Sequence, residues 1–313
     1  LVLIHSQNQL PIRANEFAPT LNRLQSHARA AYLGLAIGDA LGATVEFMTP
    51  TEIHHTYGVH NTIRGGGWLR LPLGQVTDDT TMSLALGRAI IEAQGFDTLL
   101  IARAFDQWMR SKPVDIGNTV RRGLMHFRRT GQPQVEENEM DGGNGACMRC
   151  LPVALATFGS NGEWISEANR RQAHVTHNNP LSDAACECVI TLVQMGLAGY
   201  SKESLLNGPV AELIKRHPQF IFDQKQCVNP TGYVVETLQA VLQAFFETNS
   251  FEACLVNVVN RGGDADTTGA IAGMIAGAFY GLESLPQRWR AKMNKTVFAE
   301  CEAQAVALVN LTA

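Results

Sequence analysis

The sequence predicts an all-α fold. Three observations carry that prediction: most of the chain has helical rather than alternating periodicity, Ala, Leu, Met and Gln are frequent, and there is no series of short β-branched runs. The first helix is expected at 24–41, with Gly34, Gly38 and Gly42 at four-residue spacing on one face. The segment 53–73 reads as the longest irregular stretch, because Gly65-Gly66-Gly67 and Pro72-Leu73-Gly74 break any period; it is either a turn-rich connector or a loop that approaches a ligand closely. Helices at 80–93 and 97–109 follow. The loop Pro113-Val114-Asp115-Ile116-Gly117 opens a helix at 118–128, and the turn Gly143-Asn144-Gly145 precedes one at 146–158. Further periodic stretches predict helices at 167–175, 182–198, 201–206, 209–216, 232–247, 251–260, 267–280 and 287–312. In 267–280, Gly269, Gly273 and Gly277 repeat the four-residue spacing. Each glycine inside a helix costs roughly 1 kcal/mol against alanine, and close approach of two helix backbones is the gain that offsets it. No linker divides the chain, so one domain is expected over 23–313, preceded by a flexible or appended lead-in over 1–22.

At 313 residues, with 45% hydrophobic and 17% charged content, the chain can bury a substantial core. A formal net charge of -4, with no dense Lys/Arg run, argues against nucleic-acid binding. The seven cysteines are an odd number, and the opening stretch lacks the charged start and apolar centre of a signal peptide, so a reducing cytoplasm is the expected location. Cys147 with Cys150, and Cys186 with Cys188, read as packing thiols rather than a zinc or redox site. The apolar run 270–280 is too short to span a membrane, and Asp264 and Asp266 lie just upstream, so no integral membrane protein is expected.

Two acidic clusters stand out: Thr77-Asp78-Asp79-Thr80-Thr81 and Gly262-Gly263-Asp264-Ala265-Asp266-Thr267-Thr268. Both precede helical patterns, and Asp and Thr are also the residues that cap helices. A cap needs one short polar side chain, whereas each cluster supplies several. Carboxylates packed beside apolar helices are costly unless cations neutralise them. Oxygen ligands without His or Cys point to Mg²⁺ or Mn²⁺, and the further acidic ligands of a calcium loop are absent. Thr77, Asp78, Asp79, Asp264, Asp266 and Thr267 can hold two divalent cations about 3.5–4 Å apart, with one carboxylate bridging. Such a pair suits hydrolysis of a phosphoester or of a glycosidic bond equally well.

The neighbouring stretches resemble the ADP-ribosylglycohydrolase family. The resemblance rests on 34–47, which holds Asp39 and Glu46; on Gly65-Gly66-Gly67-Trp68 leading into Gly74-Gln75-Val76-Thr77-Asp78-Asp79-Thr80; on Pro113-Val114-Asp115-Ile116-Gly117-Asn118-Thr119; on Gly143-Asn144-Gly145-Ala146-Cys147-Met148-Arg149; on Gln172-Ala173-His174-Val175-Thr176-His177; and on 260–272. It spans roughly residues 30 to 285. It implies an all-α hydrolase with a two-metal site in a central cleft, releasing ADP-ribose from a modified arginine. By this resemblance Thr77, Asp78 and Asp79 hold the first metal, Asp264 and Thr267 the second, and Asp266 bridges them, with Mn²⁺ as the first expectation and Mg²⁺ as the second. Glu46 matches a carboxylate that changes position as substrate enters, although alone it reads as an ordinary exposed glutamate. Asp115 matches an acid used in proton transfer around the ribose, although its spacing alone favours a helix-entry aspartate. Asn118, Asn144 and Gly145 match segments lining the ADP-ribose cleft, and His177 a substrate contact; a hydrogen-bonded structural role for His177 is the other reading. Asp39 looks like a supporting acid behind the ligands.

The resemblance is strongest to the branch acting on ADP-ribosylated dinitrogenase reductase in nitrogen-fixing bacteria. For that branch it implies a PII signalling protein as a further partner and a cytoplasmic enzyme that associates reversibly with the membrane through its partners. Activity on another ADP-ribosylated substrate, and a non-catalytic scaffold of the same fold, are the alternatives; the complete acidic set argues against the scaffold. Cys147, Cys150 and the segment 224–230 depart from the family pattern.

Overall fold

The computed structural model describes residues 20–312. In chain order the helices are α1 (Leu21–Gly42), α2 (Pro50–Tyr57), α3 (Asp78–Ala93), α4 (Thr98–Arg110), α5 (Asn118–Thr130), α6 (Leu151–Ala156), α7 (Gly162–Ala173), α8 (Pro180–Ala198), α9 (Lys202–Leu205), α10 (Ala211–Arg216), α11 (Val234–Glu247), α12 (Phe251–Val259), α13 (Ala265–Tyr280), α14 (Gln287–Arg290) and α15 (Lys295–Val309). Among the described residues the only β pairing is two isolated bridges, Gly66 with Leu71 and Gly143 with Tyr233. The all-α expectation holds. The proposed lead-in lies outside the described residues up to position 19, and its last two residues, Leu21 and Asn22, are already part of α1.

An antiparallel pair, α1 and α13, forms the axis, and its register is set by the glycines. A Cβ on Gly34 would lie 2.2 Å from the Gly273 carbonyl oxygen, one on Gly38 1.9 Å from that of Gly269, one on Gly42 2.0 Å from that of Ala265, and one on Gly277 2.1 Å from that of Ala30. Backbone therefore packs on backbone along four turns, which no residue with a side chain permits. Around this axis pack α3, α8, α11, α12 and α15. Helix α8 is long and apolar enough to cross a membrane by length and composition, but its apolar side chains are packed into the bundle.

Several boundaries differ from the sequence expectation for identifiable reasons. Within 53–73 the chain is helical as far as Tyr57, because Pro50 starts α2 and Thr49 with Glu52 closes a capping box. Helix α7 begins at Gly162 rather than 167, capped by Asn161, whose side chain accepts from the Trp164 N–H. The run 146–158 is helical only from Leu151, with Pro152 in its first turn. The last expected helix, 287–312, is broken between α14 and α15. There the Asn294 N–H donates to Gly74 O and the Asn294 side chain caps α15, so the break seats the loop that leads into the first acidic cluster. All seven cysteines are free thiols, six of them buried.

Candidate metal centre

The first cluster sits at the N-terminus of α3, yet none of its side chains caps that helix. The cap comes from α1. The Asp39 carboxylate accepts from Thr77 N (3.0 Å), from Thr80 N (3.1 Å) and from the Thr80 hydroxyl. Thr77, Asp78 and Asp79 are thus released from the role that their sequence position suggests. The second cluster behaves alike: Asp264 precedes α13 without capping it, and its Oδ2 instead accepts from Asn144 Nδ2 at 2.6 Å. Because Gly42 packs on Ala265, the end of α1 and the start of α13 meet at one point beside α3.

There the two clusters join. Asp79 Oδ2 accepts from the Thr77 hydroxyl and from the Thr267 hydroxyl, each at 3.2 Å. Its other oxygen, Oδ1, is buried with no hydrogen-bond partner. Glu46, Asp264 and Asp266 each offer an oxygen within 4.8 Å of the others. Among the described residues none of Glu46, Asp78, Asp79, Asp264 or Asp266 forms an ion pair with Lys, Arg or His.

Burial and mutual repulsion leave these acids poorly disposed to ionise. Burial pushes Asp78 up to about 7, with Asp115 and Asp39 adding to the rise. Burial also pushes Glu46 up to about 8, against the Trp68 hydrogen bond, with Asp264, Asp115 and Asp78 adding to it. Asp79 and Asp266 are raised well above the carboxylate range by burial and by neighbouring acids. Asp39 reaches about 6, because burial outweighs its bonds from Thr80 and Thr77. An orphaned carboxylate oxygen, oxygen-only donors and unneutralised acids fit hard divalent cations. The cluster can hold metal.

The remaining expected residues are distributed around it. Asp115 lies half-buried in the loop before α5, its Oδ1 accepting from Ile116 N at 2.7 Å, close enough for its charge to act on Glu46 and Asp78. Asn118 is the exposed first residue of α5, whose N-cap, Gly117, provides no side-chain cap. Asn144 is buried and bonds Thr237 Oγ1 (2.9 Å) as well as Asp264, so the structure gives it the orientation of an acid rather than an open amide. A Cβ on Gly145 would lie 2.8 Å from His177 Cε1, so this turn rests on the imidazole. His177 is buried, bonded through Nδ1 to the Thr176 hydroxyl at 2.7 Å, and held neutral by burial and by Arg149 and Arg122. Its geometry is that of a support for the turn. His174 bonds Asp183 at 2.8 Å. Glu46 is buried rather than exposed, and Trp68 Nε1 donates to its Oε2 at 2.6 Å.

Sequence reasoning singled out neither Trp68 nor Thr237 as a partner of the site, nor Arg149, whose buried guanidinium bonds Gln172 and Thr176 and stacks on Phe105. Trp68 stood inside the motif that carried the resemblance. Arg149 likewise closed such a motif, whereas Thr237 gave no signal.

An ADP-ribosylglycohydrolase family model matches residues 20–313. The chain belongs to the ADP-ribosylglycohydrolase family. It is 45% identical over 291 residues to the ADP-ribosyl-dinitrogen reductase glycohydrolase of Rhodospirillum rubrum, covering 92% of this chain and 97% of that protein. An ADP-ribosylarginine hydrolase of Pseudomonas putida strain GB-1 is 34% identical over 281 residues, covering 85% of this chain and 74% of that one. A solved structure described as an ADP-ribosylglycohydrolase-related protein complex superposes with a TM-score of 0.82 at 34% identity, covering 93% of this chain and all of the other. The all-α architecture expected from the sequence is thus the ADP-ribosylglycohydrolase fold.

Proposed function

We propose that the protein hydrolyses the N-glycosidic bond between ADP-ribose and a modified arginine of dinitrogenase reductase. One buried cluster containing every carboxylate of both acidic motifs, with no basic side chain among the described residues to neutralise it, carries the hydrolytic reading. The choice of substrate rests on 45% identity across nearly the whole of the Rhodospirillum rubrum protein. The cofactors on this reading are two divalent cations, Mn²⁺ before Mg²⁺: Thr77, Asp78 and Asp79 would hold one, Asp264 and Thr267 the other, and Asp266 would serve both. When bound, they supply the positive charge that grips vicinal ribose hydroxyls and acidifies a water.

The chain's own residues do the rest. Water adds to the anomeric carbon as the carbon–nitrogen bond breaks, and the departing guanidine must gain a proton. Asp115, at the edge of the cluster, moves that proton. Glu46, beside Asp264 and Asp266, changes position as substrate enters. Asn144 keeps Asp264 turned inward, and Asp39 keeps the start of α3 in register. The uncapped first turn of α5, beside Asn118, offers backbone N–H groups to the diphosphate. His177 positions Asn144 and Gly145 along the same wall. A PII signalling protein as partner, and a cytoplasmic location with membrane association through partners, belong to the same proposal; co-purification with and without that protein tests them.

The deciding experiment incubates the protein with arginine-ADP-ribosylated dinitrogenase reductase, with and without Mn²⁺, and follows free ADP-ribose. Release of phosphate instead would make it a phosphatase. Hydrolysis of other arginine conjugates but not of dinitrogenase reductase would favour the second reading, a wider ADP-ribosylarginine hydrolase like the Pseudomonas putida relative.

A further inference from the structure

Two large aromatic side chains stand exposed beside the carboxylates: Phe47 is 64% and Trp68 53% accessible. They pack on each other with ring centroids 5.4 Å apart. Their placement is fixed by the same backbone that fixes the cluster. Phe47 adopts a left-handed conformation, φ 62°, unfavourable for a bulky residue, and its N–H donates to Gly263 O at 2.7 Å, one residue before Asp264. Trp68 lies at the tip of a tight turn closed by paired bonds between Gly66 and Leu71. That turn is seated on the end of α1, since a Cβ on Gly67 would come 2.3 Å from Ala43 O. From this tip the indole N–H donates to Glu46 Oε2, beside Asp264 and Asp266.

The faces of this pair are unclaimed. Elsewhere the chain sets its own guanidinium groups over indole rings, Arg171 over the exposed Trp164 at 5.5 Å and Arg288 over the buried Trp289 at 4.9 Å. Trp108 is buried and bonded to Thr81. Among the described residues no cation lies over Phe47 or Trp68. A planar cation delivered next to Glu46 would meet an aromatic face and a carboxylate together, the combination that a guanidinium binds best.

We propose that Phe47 and Trp68 form the subsite for the arginine side of the scissile bond, with Trp68 also positioning Glu46. This rests on the ADP-ribosylarginine reading above. Two groups leave the cluster in different directions. ADP-ribose extends toward Asn118 and the Gly143–Gly145 turn, and the guanidinium extends over the aromatic pair.

The test binds agmatine, a free guanidinium, to the metal-loaded protein saturated with ADP-ribose, by calorimetry. Trp68→Ala is expected to weaken agmatine about 3- to 30-fold, the scale of a cation–π contact, while metal content and ADP-ribose affinity stay unchanged. Trp68→Phe keeps a ring but not the bond to Glu46, so it should retain most agmatine affinity yet lower kcat on ADP-ribosyl-agmatine. Equal agmatine affinity in wild type and Trp68→Ala overturns the subsite, as does a loss of ADP-ribose affinity in its place. Because agmatine binding needs no turnover, a wild-type protein that binds agmatine through Trp68 but never cleaves the conjugate sinks the proposed activity and leaves the subsite standing.

Discussion

Asp39 caps a helix to which it does not belong, and that single displacement frees the carboxylates of α3 for other work. Its replacement separates the two roles. Asp39→Ala strips the acceptor from Thr77 N, Thr80 N and the Thr80 hydroxyl, and should cost about 0.5–2 kcal/mol of stability, the value of a lost cap, together with metal affinity. Asp39→Asn keeps an acceptor and should lose less; denaturant titration and metal content of both variants check this, and equal losses would mean that charge rather than capping matters. The residues assigned to the cations should respond differently. Asp264→Asn and Asp266→Asn are expected to stay folded, by circular dichroism, but to be nearly inactive, and chelation should abolish wild-type turnover until Mn²⁺ is restored. Full activity in Asp266→Asn would remove a two-metal mechanism. Asp115 sits beside the cluster, so Asp115→Asn should keep metal content and ADP-ribose affinity while kcat falls roughly 10²–10⁴-fold, the scale of a general acid or base. Loss of ADP-ribose affinity at unchanged single-turnover rate would reassign it to binding.

The helix pair α1 and α13 brings residues from opposite ends of the sequence to one point, and its tolerance is small. At Gly38 a methyl group would lie 1.9 Å from backbone that cannot swing aside as a side chain does. Gly38→Ala should therefore destabilise the protein by at least about 1–3 kcal/mol, as overpacking does, and spread Asp39 from Asp266, lowering metal content in whatever protein folds. Gly66→Ala, where a Cβ meets open space, should leave metal content untouched and pay only for its positive φ, which differential scanning of both variants would show. The glycine spacing made this pair legible in the sequence, since only close backbone contact explains three helical glycines four apart. The acidic motifs were legible for a similar reason, carrying more carboxylates than caps require. The bonds of Asn144 to Asp264 and of Trp68 to Glu46 were not, because they join positions 120 and 22 residues apart that no local period relates. Nor was the break before α15, which depends on Asn294 meeting Gly74.

At the scale of the whole molecule, the fold is built around a cluster of acids that has no basic partner among the described residues, so its stability should depend on pH and on cations together. Without metal, burial pushes Asp78 up to about 7 and Glu46 up to about 8, well above the range in which an unfolded chain gives up its carboxyl protons. The folded state therefore binds more protons between those limits, and the contribution of these groups is fully present below about pH 4 and lost as pH rises through 7 and 8. Divalent cations that bind the folded form alone would compete with those protons and so restore what high pH removes. Thermal scans in EDTA and in Mn²⁺ should show a Tm difference that grows from pH 6 to pH 8, and Asp266→Asn should flatten that growth by taking away one of the acids that cations must neutralise. A Tm increment that is the same at both pH values would mean that the cations bind elsewhere, and that the buried acids stay protonated whether metal is present or not.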